Sequence, residues 1–402
     1  MLLNRDRASS IMEAEDLVGL IASCGENITY SSGFAHWPMY TYKDQEVYSI
    51  LTQAGQVALV VPLDAADYLA QEPTDASSVY FHGTFFMNRS PGVVLSGAEA
   101  RLADIRAEAH VFPSSLEALG AALNDLHLRG CTVGLDERGM APARWRLITE
   151  TFADTSFVEA MDLFRRIRMV KTEDEITHLR QAVAGVEMGI EQVFSHARPG
   201  VSEADLESIF RATVVERGVA PGHYEVTAGS RSGANFPASA DYKLRAGDVI
   251  RADCGGRCHW YFADTGRTGG LGDVPDLLGR YYIAMRAGID AMLNAVGPGI
   301  RAGELFEIGV GTVVDSGIPH FKRHHAGHGI GLEMYEMPLL VDPNARPEIA
   351  SIVLEPGMVI NLELPYYEIG LGGIQLEETL VVRANGYDLL TTASRELQKL
   401  GN

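Results

Sequence analysis

Positive charge is scarce in this chain: Lys and Arg number 33 against 53 Asp and Glu, a formal net charge of −20. Such a balance repels phosphate backbones and anionic headgroups, which argues against nucleic-acid and membrane-surface partners. The basic residues that do cluster, from Arg165 to Lys171 and at Lys322-Arg323, are too few for a nucleic-acid stripe. Cysteine is also thin. The four present, Cys24, Cys131, Cys254 and Cys258, are too scattered for a disulfide framework in 402 residues and suit a reducing compartment. No apolar run approaches the roughly 20 residues of a membrane span, and Val57-Ala58-Leu59-Val60-Val61 is typical of the longest. The opening stretch from Met1 to Arg7 lacks the apolar core of a secretory leader, so the expected location is the cytoplasm. A phosphate-cradling glycine loop followed by lysine and serine or threonine is missing, which disfavours nucleotide hydrolysis.

What remains is an ordinary globular composition, 46% hydrophobic and 21% charged, long enough for two domains. The first part alternates strand-like and helical segments: the apolar run from Gln56 to Pro62, then a helical Leu63 to Gln71, later Ser115 to Leu123 followed by Cys131 to Leu135. Alternation of this kind predicts an α/β layer structure. The character changes after the basic segment that ends at Val170-Lys171. Thr172, three residues before Glu175 and ahead of the apolar positions Ile176, Leu179, Ala182 and Val183, is a capping box opening an amphipathic helix. A second helix is expected from Glu203 to Arg217, and from about His223 strands and glycine-rich turns take over. The expected architecture is therefore an α/β domain over residues 1–168 and an α+β domain over 169–402.

Chemistry concentrates in the second part. Asp253 closes the strand-like segment that starts at Gly247, and Asp264 follows eleven residues later. Cys254-Gly255-Gly256 reads as the turn of a hairpin that brings both carboxylates to one face. Next comes Gly327-His328-Gly329-Ile330-Gly331, then two apolar strands, Val359 to Leu364 and Ile374 to Leu380, carrying Glu363 and Glu377. Four carboxylates in strand interiors repel one another and are desolvated unless something positive sits among them. Two divalent cations would cancel their charge, and an oxygen and nitrogen donor set without thiolate suits Mn, Co, Fe or Zn. The pattern points to a dinuclear hydrolytic centre. The segment Cys254 to His259 is not read as a zinc site, because no second Cys/His pair stands at a suitable spacing.

These five residues, in this order and spacing, resemble the pita-bread metallohydrolases: methionine aminopeptidase, aminopeptidase P, prolidase and the creatinase relatives. The resemblance spans the second half from Val170 to Val382. More loosely, the first half, including Ile28-Thr29-Tyr30-Ser31-Ser32-Gly33-Phe34, resembles the N-terminal domain of the prolidase, aminopeptidase P and creatinase branch. It implies a creatinase-type N-terminal domain and a pita-bread catalytic domain with Asp253, Asp264, His328, Glu363 and Glu377 as metal ligands. It further implies a metal-bridging hydroxide as nucleophile, Glu363 as proton shuttle and His324 as the donor to the tetrahedral oxyanion, with His325 a mere polar loop neighbour.

The substrate side departs from the family. Phe236 and Tyr335 stand where the relatives carry histidines, and Gln375 replaces an arginine before the last glutamate. Arg251, on the strand face of Asp253, is a candidate for restoring positive charge. Trp37, in the aromatic run from His36 to Tyr42, is a candidate for reaching a neighbouring subunit's site in a homodimer; a buried aromatic loop is the alternative. The expected function is cleavage of the peptide bond before proline in short peptides, with two divalent ions, Mn first. The alternatives are a creatinase-like hydrolase or lyase of a small non-peptide metabolite on the same scaffold, and a catalytically silent binding protein.

Overall fold

A computed structural model describes residues 2–42, 46–235 and 240–401. The chain forms two compact units, Met1–Arg168 and Met169–Asn402. The first is built on a seven-stranded mixed sheet of β1 (Gly19–Ala22), β2 (Tyr48–Thr52), β3 (Val57–Pro62), β4 (Ser78–His82), β5 (Val111–Phe112), β6 (Thr132–Leu135) and β7 (Ser156–Glu159), in the order β5-β4-β3-β2-β1-β6-β7. The apolar run around Val57 to Val61 is buried throughout because β3 lies inside this sheet. The helix Ser115–Asp125 covers the sheet with Ala118, Leu119, Ala122 and Leu123, which pack with Ile21, Ile50, Ala58 and Val133.

The second unit opens with the helix Glu173–His196, whose N-terminus carries both halves of the capping box between Thr172 and Glu175. Its strands are β8 (Ala220–Ala228), β9 (Val249–Cys258), β10 (Tyr261–Leu271), β11 (His325–Gly329), β12 (Glu336–Val341), β13 (Val359–Glu363), β14 (Tyr366–Glu368), β15 (Gly372–Ile374), β16 (Glu377–Arg383), β17 (Gly386–Leu389) and β18 (Gln398–Leu400). They form a four-stranded sheet, β18-β10-β9-β8, a five-stranded sheet, β12-β11-β13-β16-β17, and the small pair β14-β15. Period-two alternation divides β13 between core and site. Ile360 and Leu362 join the apolar cluster with Met285, Ile289, Leu305 and Leu380, while Asn361 and Glu363 face the other way. Each such buried aliphatic side chain contributes about 1.5–3 kcal/mol, which fixes the register of the strand that carries Glu363. Among the described residues no helix is long and apolar enough to cross a membrane.

Two expectations are corrected. Cys254-Gly255-Gly256 is not a turn: these residues lie inside β9, and the hairpin tip falls at His259-Trp260, both at positive φ. The glycines serve close approach, since a Cβ on Gly255 would stand 2.3 Å from the His223 ring and 2.5 Å from the Ala263 carbonyl. The segment from Ile374 to Leu380 is not one strand either. It breaks at Gln375-Leu376, because the Gln375 backbone bonds to the Thr268 hydroxyl on both sides, at 2.8 Å each, instead of to a neighbouring strand.

Candidate metal centre

Register alone assembles the carboxylates. In the β9–β10 hairpin Asp253 pairs with Gly266 and Asp264 with Gly255, so the two aspartates are diagonal neighbours on one face. In the other sheet Glu363 pairs directly with Glu377, and His328 pairs with Asn361, two residues from Glu363. Ligand atoms of Asp253, Asp264 and Glu377 lie within 4.8 Å of one another. The His328 Nε2 is 3.5 Å from Asp264 Oδ2 and 3.9 Å from Glu363 Oε1. All five side chains are buried, His328 completely.

The arrangement fits a cation. At an effective dielectric of about 20, two ionised carboxylates 4.8 Å apart repel by roughly 3.5 kcal/mol, a cost that three such pairs would carry here were all three acids charged. Burial pushes the Glu377 carboxyl well above its ordinary range, with Asp264, Asp253 and Glu363 adding to the effect. Burial also works against Asp264 as an anion, but the His223 and His328 imidazoles together outweigh it and hold that carboxyl low. The His328 Nδ1 donates to the Gly329 carbonyl at 2.9 Å, and its Nε2 points toward the carboxylates without a hydrogen-bond partner. An imidazole nitrogen without a hydrogen-bond partner among buried acids is a set of donors that suits a divalent metal.

Around this set the remaining candidates fall into place differently. Gln375 Nε2 donates to Asp253 Oδ2 at 2.9 Å and to Glu377 Oε1 at 2.5 Å, and Arg251 Nη1 donates to Gln375 Oε1 at 2.8 Å and to Asp253 Oδ2 at 3.2 Å. Gln375 is thus turned to the carboxylates of Asp253 and Glu377, and Arg251 to Asp253 and Gln375. Tyr335 stacks on His328, with centroids 4.0 Å apart, and borders a cavity of about 460 Å³ together with His324, His325, Arg323, Tyr367 and the carboxylates. Phe236 lies outside the described residues. In the first unit Trp37 is 54% exposed and stands 5.5 Å from the Tyr42 ring, so the aromatic run is not a buried loop.

His325 is a correction. It opens β11, and its Nδ1 is 3.0 Å from Glu363 Oε1, whereas exposed His324 borders the cavity. Plain strand parity would put His324 and His328 on one face. The β11 register shifts on either side of His328, and Gly327 at φ 145° takes up the irregularity, so His325 turns to the site instead. His223, Glu225 and Tyr367 were also missed. His223 Nε2 lies 2.9 Å from Asp264 Oδ1 and 3.2 Å from Asp253 Oδ1, and Glu225 pairs directly with Asp253. The available signal was the alternation of His223 and Glu225 at the start of a strand.

Comparison with known proteins places this site in a family. The model of metallopeptidase family M24 matches residues 177–384, and that of the creatinase/prolidase N-terminal domain matches residues 5–170. The chain is 27% identical over 270 residues to the Xaa-Pro dipeptidase of Lactobacillus delbrueckii subsp. lactis, an alignment covering 66% of this chain and 72% of that protein. It is 31% identical over 246 residues to the probable dipeptidase PepE of Mycobacterium tuberculosis (strain ATCC 25618 / H37Rv), covering 60% and 63%. Among solved structures, the Xaa-Pro dipeptidase from Bacillus anthracis shares the fold with a TM-score of 0.80 at 20% identity over 98% of this chain and 99% of that one. The X-Pro aminopeptidase from Thermotoga maritima MSB8 does so with a TM-score of 0.75 at 22% identity over 99% of both. With the buried acids and His328 all inside the matched segment, the chain belongs to metallopeptidase family M24: a metal-dependent hydrolase with a pita-bread domain behind a creatinase-type N-terminal domain.

Proposed function

We propose that this protein hydrolyses the peptide bond before proline in short peptides, using two divalent cations held by Asp253, Asp264, His328, Glu363 and Glu377. The observation that carries the reading is the orphaned His328 Nε2 facing buried, mutually close carboxylates at the edge of a cavity sized for a small ligand. The names of the relatives above, several of them Xaa-Pro dipeptidases, favour the substrate class. Manganese is the first candidate, with Co, Zn and Fe next. The ions supply, when bound, an activated water nucleophile and polarisation of the scissile carbonyl.

The chain's own residues divide the remaining work. Glu363 is the proton carrier: burial opposes its charge, but His325 at 3.0 Å offsets that and keeps the carboxyl low, so it is charged and ready to accept. His324 borders the cavity beside it and is the candidate donor to the developing oxyanion. Gln375 and Arg251 act as positioning residues that fix Asp253 and Glu377. Tyr335 offers a hydroxyl on the substrate side, and we propose Phe236 as a further substrate-binding residue on the strength of its place in the sequence alone. Exposed Trp37 is the residue we assign to substrate contact in a homodimer. Four free thiols fit a cytoplasmic setting.

A second reading, action on a small non-peptide metabolite, is favoured by the tyrosine at 335 and the glutamine at 375, which leave fewer cationic donors for a peptide carboxylate. The test is hydrolysis by Mn-loaded protein of a panel of Xaa-Pro dipeptides and longer Xaa-Pro peptides, with Asp264→Ala as control. Cleavage before proline that vanishes in the control supports the peptidase. Metal-loaded protein that cleaves no peptide in the panel sinks it and leaves the metabolite reading.

A further inference from the structure

The strand β8 carries an irregularity at the place where it passes the acids. Pro221 pairs with Gly256 and Tyr224 with Cys254, so three steps along β8 match two along β9. One extra residue in a strand bends it and re-aims the side chains beside it. Beyond the irregularity the register is regular, Tyr224 on Cys254 and Glu225 on Asp253, and one step back along it His223 falls over Gly255, the residue that Asp264 faces from β10. The His223 ring occupies the space over Gly255, where a Cβ would stand 2.3 Å from Cε1 and 2.6 Å from Nδ1, so the glycine inside β9 is what makes room for an imidazole.

The His223 Nε2 stands 2.9 Å from Asp264 Oδ1 and 3.2 Å from Asp253 Oδ1. Ligand atoms about 2.1 Å from one ion and at right angles to each other are roughly 3.0 Å apart, so both spacings from Nε2, which are also hydrogen-bond lengths, match those of atoms that share a cation. The other oxygen of Asp264 faces His328 Nε2, which is fully buried and has no hydrogen-bond partner. Glu225, two residues on and on the same face of β8, pairs directly with Asp253, and its Oε2 is buried without a hydrogen-bond partner. A glutamate opposite an aspartate across a strand pair is destabilising unless a positive charge lies between them. Ligand atoms of His223, Glu225 and Asp253 fall within 4.8 Å of one another, and Asp253 belongs as well to the group with Asp264 and Glu377.

We propose that His223 is a further protein ligand of the metal centre, binding through Nε2 the ion held by Asp253 and Asp264, with Glu225 completing the charge around that ion. The centre then carries an imidazole on each side of Asp264. This inference rests on the metal-centre reading above, and its test separates the two. A second nitrogen donor also biases the site toward borderline ions such as Co and Zn relative to a site of carboxylates alone.

The experiment is pulsed electron paramagnetic resonance on the Mn(II)-loaded protein, counting coordinated imidazole nitrogens, together with chelator-competition measurement of both affinities. Wild type is expected to show two imidazoles, and His223→Ala and His223→Gln one each. One of the two affinities should weaken by at least about tenfold while the other holds, and added imidazole should restore the second nitrogen signal in His223→Ala. An unchanged nitrogen count in folded His223 variants, or tighter binding on its removal, overturns the inference, because His223 would then be occupying the ion's place as a cation. If wild type binds no Mn, Co or Zn at all, the metal-centre reading fails and this inference with it.

Discussion

Replacing Glu377 by glutamine should uncouple the protein's stability from metal. Burial and the neighbouring Asp264, Asp253 and Glu363 push the Glu377 carboxyl up, so it holds a proton in metal-free protein, and glutamine copies that neutral shape. Two donors reach it, Gln375 Nε2 at 2.5 Å and Asn361 Nδ2 at 3.3 Å, and a glutamine can accept from only one of them. The metal-free variant should therefore lose about one hydrogen bond, on the order of 1 kcal/mol. Metal acts differently on the two proteins. A cation at one hundred times its dissociation constant stabilises the wild type by about 2.7 kcal/mol per site. For a unit the size of Met169–Asn402, at about 2–4 °C per kcal/mol, that raises the melting temperature by roughly 5–11 °C. In Glu377→Gln the increment should shrink to a small fraction. The assay is a thermal melt of each protein with and without Mn, Co or Zn, the increment being read within each protein so that the cost of the substitution cancels. A full increment in Glu377→Gln would refute its place among the ligands, and no increment in wild type with any of the three ions would refute the centre.

Glu175 sets a second, metal-independent test. Burial first raises its carboxyl to about 8, against the Thr172 backbone donor and Lys171. A carboxyl raised in the folded state holds its proton longer than in the unfolded chain, so stability is fully present below the ordinary 4.5 and declines as pH rises toward about 8. Denaturation midpoints of Glu175→Gln should be flatter across that window, and equal slopes would refute the assignment. Gly327→Ala places a Cβ 2.2 Å from the Asn361 carbonyl at a φ of 145°, and should cost about 3 kcal/mol and peptide hydrolysis together; a normal melt with normal turnover would contradict the bulge argument. Tyr335→Phe keeps the stack on His328 and loses only the hydroxyl, so metal content and melting should hold while kcat/KM falls at least about tenfold; an unchanged rate would remove Tyr335 from the substrate side.

The fold and the centre were legible in the sequence to different depths, for reasons visible in single residues. The helix at Glu173–His196 was readable because its capping box and apolar period are local, and the structure holds both. Asp253, Asp264, His328, Glu363 and Glu377 could be picked out together, by an order and spacing that resemble those of a known family, whereas each alone reads as a common strand or turn residue. The approach of Glu377 to Asp253 and Asp264, however, depends on how two separate sheets meet, which no local pattern encodes.

What escaped was parity. A strand alternates faces every residue, so a histidine four positions before His328 should share its face and one three positions before should not. The irregular register of β11 reverses that rule and brings in His325, whereas His223 obeys it, on the face of Glu225, and escaped because what it reaches lies across two strands. Each case leaves only a glycine as a trace. Gly327 gives way at φ 145°, and Gly255 leaves the space that the His223 ring fills. The glycines at 255 and 256 were ambiguous in the same manner, since a small residue between two strand-like runs reads as a turn when it can equally be the floor on which another side chain rests. Only the partner strand decides between those meanings. At Gly255 that partner brings the His223 ring to where a side chain would have been, so the residue that looked like the end of a strand is the one that admits an imidazole to the acids.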